Sequence, residues 1–260
     1  MKKVLFIHVP RTSGTSLARF LKDTFPGFFI QANSVDQLAE GDPFVGRVRD
    51  LDDIRRVLDT CGGLAIHVDS NFGSRRQTTD FRSLAWHLFE LGNVGYFSQF
   101  TILTMLRDPF RGFLSSYAFV KRTKDEDAGF LPDLDLGSVE SYLEGVHDNA
   151  ILHFLLEPQL SRRRAVSREE LERVKACIVD YPIHVGVYER YAETIDYFAR
   201  VLGRSFKADE VPRLNVGMAP PQVDRRLETA FRERNQLDLD LYDFVTRLLD
   251  ARLQSTRPQE

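Results

Sequence analysis

Three short stretches of this 260-residue chain carry side chains suited to holding a multiply charged anion. The first, Pro10 to Ser16, places one cation, Arg11, among the hydroxyls of Thr12, Ser13, Thr15 and Ser16, with Gly14 in the turn. The second offers His67 and Asp69. The third offers Arg107 and Asp108, with Ser115 eight residues beyond Arg107. Guanidinium groups, hydroxyls and backbone N–H groups are the donors that phosphate or sulfate requires, and a histidine near them can take a proton at neutral pH.

The elements that must position these residues are legible in the apolar pattern. Val4 to Ile7 is a short β-branched and aromatic run of buried-strand type, and Leu17, Phe20 and Leu21 then repeat at helical spacing behind the candidate caps Thr15 and Ser16. A strand feeding a small-residue turn that opens a helix aims free N–H groups and the positive helix end at one point. An ordinary βα turn has the same pattern, so both readings stand. His67 lies near the end of a strand at Leu64 to Val68, and Arg107 directly follows one at Thr101 to Leu106. Pro109 then opens a helix with the apolar stripe Phe113, Leu114, Tyr117 and Val120. Taken singly, His67 also reads as a core histidine and Arg107-Asp108 as an ion pair at a helix entrance. Ligands of open parallel sheets sit beyond the carboxyl ends of strands, and polar chemistry at three such ends favours a shared site.

The remaining chain alternates in the same way. Phe28 to Ile30 reads as a strand, Asp52 to Leu58 and Ser83 to Leu91 as helices, and Thr123 to Asp135 as a mobile surface loop. Helical periodicity covers Val139 to Val146 and Ala150 to Leu156, and Ser167-Arg-Glu-Glu170 is a capping box for a helix to about Cys177. Ile183 to Val187 is a strand and Tyr191 to Leu202 a helix. Arg213 to Val223 is a loop, and helices at Arg225 to Arg234 and Asp238 to Leu253 finish the chain. The alternation predicts an α/β fold, its mostly parallel sheet covered on both faces, in one domain over 1–260, with a helix-rich C-terminal half.

Composition narrows the function classes. A net charge of −3 gives no general pull toward nucleic acid or anionic membrane, and no apolar run is long enough to span a bilayer. Cys61 and Cys177 form no metal pattern, and with no leader-like segment the expectation is a cytoplasmic protein. Arg75-Arg76 and Arg162-Arg163-Arg164 read as solvated faces or as a welcome for an acidic acceptor. Trp86 and the phenylalanines read as core. Against a Walker A motif, Gly14-Thr15-Ser16 falls where Gly-Lys-Ser belongs, so the phosphate-reaching lysine is missing and Pro10 replaces the first glycine. Asp69 and Asp108 are the nearby candidates for holding Mg²⁺. Anion chemistry based on N–H groups, hydroxyls and a cation fits better than nucleoside triphosphate chemistry.

The stretch His8 to Leu17 resembles the 5′-phosphosulfate loop of the sulfotransferases related to the heparan sulfate O-sulfotransferases, written H-I-P-K-T-G-G-T-S. Leu106 to Tyr117 resembles their 3′-phosphate segment, L-R-D-P-x-x-R-x-x-S-x-Y. The likeness continues in His67, Asp148-Asn149, Val185-Gly-Val-Tyr-Glu189, Leu214-Asn-Val-Gly217 and Leu239-Asp-Leu-Tyr242. It implies a three-layer P-loop-like fold and the donor 3′-phosphoadenosine 5′-phosphosulfate (PAPS; product PAP), with no metal. The sulfuryl group would pass in line to a hydroxyl on a carbohydrate or small molecule. It further implies that Arg11, Thr12, Ser13, Gly14, Thr15 and Ser16 hold the 5′ end, that Arg107 and Ser115 hold the 3′-phosphate, and that His67 is the base. Asp69, His8 and His153 are the fallback bases, and the loop at Arg213 to Met218 closes over the adenine side. Two departures stand out: Arg11 replaces the family's lysine, and Ile66 precedes His67 where glycine is usual. A nucleotide kinase and a non-catalytic nucleotide-binding module are the alternatives.

Overall fold

In the computed structural model the described residues are 3–24, 52, 97–126, 134–156, 165–212 and 221–255, with 28–32 and 64–68 described as strand backbone. The chain begins with β1 (Lys3–His8), whose Val4, Leu5, Phe6 and Ile7 are all buried, and continues into α1 (Gly14–Thr24). Consecutive burial, without alternation, marks a strand covered on both faces. Around it lie β2 (Phe28–Ala32), β3 (Leu64–Val68), β4 (Phe100–Leu106) and β5 (Ile183–Val187), in the order β2-β3-β1-β4-β5 with every pairing parallel.

This order sets where a ligand can bind. The chain leaves β1 toward one sheet edge, to β2, and leaves β4 toward the other, to β5. Connections departing in opposite directions from two adjacent strands open a crevice at their carboxyl ends, the topological switch point. Right-handed crossovers put the helices of these two connections on opposite faces. Thr104 of β4, itself buried, donates its hydroxyl to the Ile7 carbonyl of β1 at 2.9 Å, on top of the ladder that pairs the same two residues.

The helices after β4 are α2 (Pro109–Glu126), α3 (Val139–Gly145), α4 (Ala150–Leu156), α5 (Arg168–Asp180), α6 (Tyr191–Val201), α7 (Arg225–Arg234) and α8 (Gln236–Ser255). Phe113, Leu114, Tyr117 and Val120 of α2 are buried, as their spacing predicts. Phe110, Phe113, Leu114 and Tyr117 form an apolar cluster with Tyr142 and Leu143 of α3 and Leu227 and Phe231 of α7. A larger cluster joins the sheet to α1, α4, α5, α6 and α8. The capping box on Ser167 and Glu170 is formed, and free Cys177 is buried in that helix. One expectation changes: Thr123 to Glu126 is the last turn of α2 and not loop. Thr123 donates to the Phe119 carbonyl at 3.0 Å, and Lys124 reaches the Leu134 carbonyl at 2.7 Å. Charge there marks a solvated helix end. The expected helices at Asp52 to Leu58 and Ser83 to Leu91 lie outside the described residues, Asp52 excepted, as do Cys61, Trp86 and the loop at Arg213 to Met218.

Two helix starts cap one another. The buried Asp238 carboxylate accepts from the Ile151 and Leu152 N–H groups at 2.8 and 3.0 Å, closing the N-terminus of α4. Asn149, at φ 54°, accepts from the Leu237 and Asp238 N–H groups at 3.0 and 3.1 Å, closing that of α8. Burial drives the Asp238 carboxyl up to about 7, outweighing the two donors that pull it down. A raised carboxyl holds its proton more tightly in the folded than in the unfolded chain. Its contribution to stability is therefore complete below about pH 4 and is lost as pH rises through about 7. Asp238→Ala orphans two N–H groups and is expected to cost about 3 kcal/mol in urea unfolding. Asp238→Asn keeps one acceptor and should flatten the decline in stability between pH 4 and pH 7.

Candidate functional site

The turn from β1 to α1 is built on two left-handed residues, Arg11 at φ 66° and Ser13 at φ 61°. Such conformations cost a non-glycine residue about 1–3 kcal/mol and gather where the backbone serves a ligand. Ser13 stands where the resembled loop motif has glycine, which its φ explains. Its carbonyl accepts the first helical bond, from Leu17, so α1 opens one residue before the candidate caps Thr15 and Ser16. Thr12 is buried and donates its hydroxyl to the Val9 carbonyl at 2.8 Å. What Thr12 can offer an anion is therefore its N–H. Ser16 is buried and Thr15 exposed.

Gly14 is required for a different reason. A Cβ there would lie 1.8 Å from Cδ2 of His8, whose ring stacks on Phe6 with centroids 6.1 Å apart. Burial, and secondarily the Arg11 charge, pull the His8 pKa down to about 4, so the imidazole is neutral at physiological pH. A base that weak is poorly matched to an alcohol proton. His8 packs the loop. His153, the other described fallback base, is buried in α4 with its ring 4.9 Å from that of His147.

Polar residues of the first and third stretches meet. Arg11 donates through Nε and Nη2 to the Ser115 hydroxyl at 3.2 and 3.1 Å, and its guanidinium lies 4.7 Å over the Phe119 ring, one turn further along α2. Arg107 donates from Nη1 to the Arg11 carbonyl at 3.3 Å. Arg11 is held below the usual guanidinium range by burial and then by the charges of Arg107 and Arg122. Among the described residues no carboxylate forms an ion pair with Arg11. Ser115, expected beside Arg107, has Arg11 as its partner.

Sequence reasoning missed the residues that hold Arg107. Its guanidinium lies 4.4 Å over the Tyr188 ring, and Nε is 3.9 Å from Oε1 of Glu189. Oε2 of Glu189 accepts from the Asp108 N–H at 3.2 Å and from the Tyr242 hydroxyl at 2.9 Å. Tyr188 and Glu189 directly follow β5, so they occupy a fourth strand end, and the carboxyl-end rule applied there would have found them. Gly186 fixes that end. Its missing Cβ would meet Cγ2 of Thr194 at 2.0 Å, and Thr194 Oγ1 bonds both the N–H and the carbonyl of Val187. Asp108 is occupied structurally: it accepts from Arg111 N–H at 2.9 Å, capping α2, and lies 3.9 Å from Arg232.

His67 belongs to β3, with Ile7 and Gln31 as its register partners, so it lies one strand from the loop-bearing β1. Asp69, Arg75, Arg76 and Arg162 to Arg164 lie outside the described residues.

The Gly14–His8 contact makes a cycle possible. Gly14→Ala alone should lower stability by about 1–3 kcal/mol in thermal unfolding, by overpacking against His8. The added cost of Gly14→Ala in a His8→Ala background should be clearly smaller, because the ring is gone. Additive losses would show that the contact is not what excludes a side chain at this position.

No family model and no curated protein matches the chain. Among solved structures, the mouse sulfotransferase SULT7A1 complexed with PAP matches it at 12% identity, with 100% of this chain and 86% of that chain covered and a TM-score of 0.43. At that level the likeness says nothing of activity.

Proposed function

We propose that the chain is a sulfotransferase that takes the sulfuryl group from 3′-phosphoadenosine 5′-phosphosulfate. One observation carries the reading. Arg11 and Arg107, from different strand ends, meet at the switch point, where Arg107 bonds the Arg11 carbonyl and Arg11 bonds the Ser115 hydroxyl, and no described carboxylate pairs with Arg11. Two cations, Arg11 on the left-handed turn and Arg107 bonded to its carbonyl, are suited to a ligand carrying more than one anionic group, and PAPS has a phosphosulfate at one end and a 3′-phosphate at the other.

In the proposed reaction an acceptor hydroxyl oxygen attacks sulfur, the bond from sulfur to the bridging oxygen breaks, and 3′,5′-phosphoadenosine leaves. Negative charge grows on the bridging oxygen, where Arg11 and the N–H groups of Thr12 to Ser16 would stabilise it. Arg107 and Ser115 would hold the 3′-phosphate. The hydroxyl proton must leave as the O–S bond forms, and His67 on the neighbouring β3 is the proposed base. The acceptor is a hydroxyl on a carbohydrate or small molecule. A kinase reading is the weaker one because Asp108, a candidate for holding Mg²⁺, is engaged in capping α2 and lies beside Arg232. No helix among the described residues is long and apolar enough to cross a membrane.

Calorimetry provides the test. The protein should bind 3′,5′-phosphoadenosine at least about tenfold more tightly than AMP, a difference of about 1.4 kcal/mol. Equal affinities would remove the basis for the donor. His67→Ala should retain nucleotide binding and lower kcat by about 10²–10⁴-fold; unchanged turnover would assign the base elsewhere.

A further inference from the structure

We infer that Glu189 is a positioning residue for the anion site, acting through Arg107; the inference rests on the nucleotide-binding reading above. Two strand ends, those of β4 and β5, and one helix meet at this carboxylate. Its Oε2 is fixed by two donors, the Asp108 N–H after β4 and the Tyr242 hydroxyl on α8. Its Oε1 is buried without a hydrogen-bond partner, 3.9 Å from Arg107 Nε, which is equally buried and unpartnered. The carboxylate thus faces the guanidinium as a fixed charge without consuming any of its N–H donors.

That arrangement separates two roles a carboxylate can have beside a phosphate-binding arginine. A competitor would occupy the N–H fork and have to be displaced by the ligand. Glu189 leaves the fork open and offsets the repulsion that Arg11 exerts on Arg107. With Tyr188 beneath the guanidinium and the Arg11 carbonyl accepting from Nη1, Arg107 is held on three sides. Of the five donors a guanidinium carries, Nη1 gives one to the Arg11 carbonyl and Nε is buried facing Glu189, which leaves the other Nη protons for an anion. Without the Glu189 charge, Arg107 faces another guanidinium and its lowest-energy position moves toward solvent. A ligand phosphate must then order it on binding.

The experiment is a double-mutant cycle read as the ratio of AMP to 3′,5′-phosphoadenosine dissociation constants, measured by calorimetry on wild type, Glu189→Gln, Arg107→Ala and the double variant. Glu189→Gln should lower the ratio about tenfold through weaker binding of the bisphosphate, with AMP affinity changed less than about twofold. In the Arg107→Ala background the same change should leave the ratio where it is. Tyr242→Phe removes one of the two donors and should give a smaller loss in the same ratio, so the inference remains testable if Glu189→Gln folds poorly. A ratio that is unchanged or raised by Glu189→Gln overturns the inference, as does additivity with Arg107→Ala or an equal loss for both nucleotides. A wild-type ratio near one overturns the donor reading itself and this inference with it, a failure visible before any variant is made.

Discussion

Arg11 and Arg107 are held next to one another, and that adjacency is the constraint to which the rest of the site answers. Two like charges a few ångström apart near a protein surface repel by up to about 4 kcal/mol. Burial first, and then the Arg107 charge, depress the basicity of Arg11. What holds them is mostly backbone. Parallel pairing sets β1 against β4, and the Thr104 hydroxyl ties the two strands together close to their carboxyl ends. The Arg11 carbonyl, turned by its left-handed conformation, accepts a bond from Arg107 itself. Aromatic faces then complete the support, Phe119 under Arg11 and Tyr188 under Arg107.

The loop also shows why small residues precede α1. Gly14 is there because the His8 ring occupies the space of its side chain, and His8 stays neutral because the same packing desolvates it. Burial of the ring and absence of a side chain at Gly14 are thus one feature. Ser13 tolerates the left-handed region as a small polar residue can, and the helix begins directly behind it.

Much of this was legible in the sequence, for identifiable reasons. The strands Leu64–Val68 and Ile183–Val187 are short apolar runs in the sequence, and both have the predicted limits. Ser167 carries a local capping signal, and Pro109 a local helix-start signal. What escaped notice depends on residues far apart in the chain. The Arg11–Ser115 pair spans 104 positions and Glu189–Tyr242 spans 53, and no periodicity encodes which partner a hydroxyl finds at such range. The mutual capping by Asn149 and Asp238 was invisible for the same reason, although both residues lay in segments noted for other features. The charged end of α2 was misread as loop because a solvated helix face and a polar loop share a composition.

The presence of arginine at position 11, where the resembled family has lysine, alters the design of the site more than its charge. An ammonium is a compact point charge, whereas the planar guanidinium donates through two nitrogens to one hydroxyl while stacking on a ring. Arg11 does both, anchoring the β1 loop to α2 through Ser115 and Phe119. Ser115 accepts those two bonds on its oxygen, which leaves its own proton to be donated. An anion reaching Ser115 would therefore find a hydroxyl donor already oriented by Arg11. The two motifs that the sequence offers as separate are coupled through that hydroxyl. Arg107, bonded to the carbonyl of Arg11, closes the same circuit through the backbone.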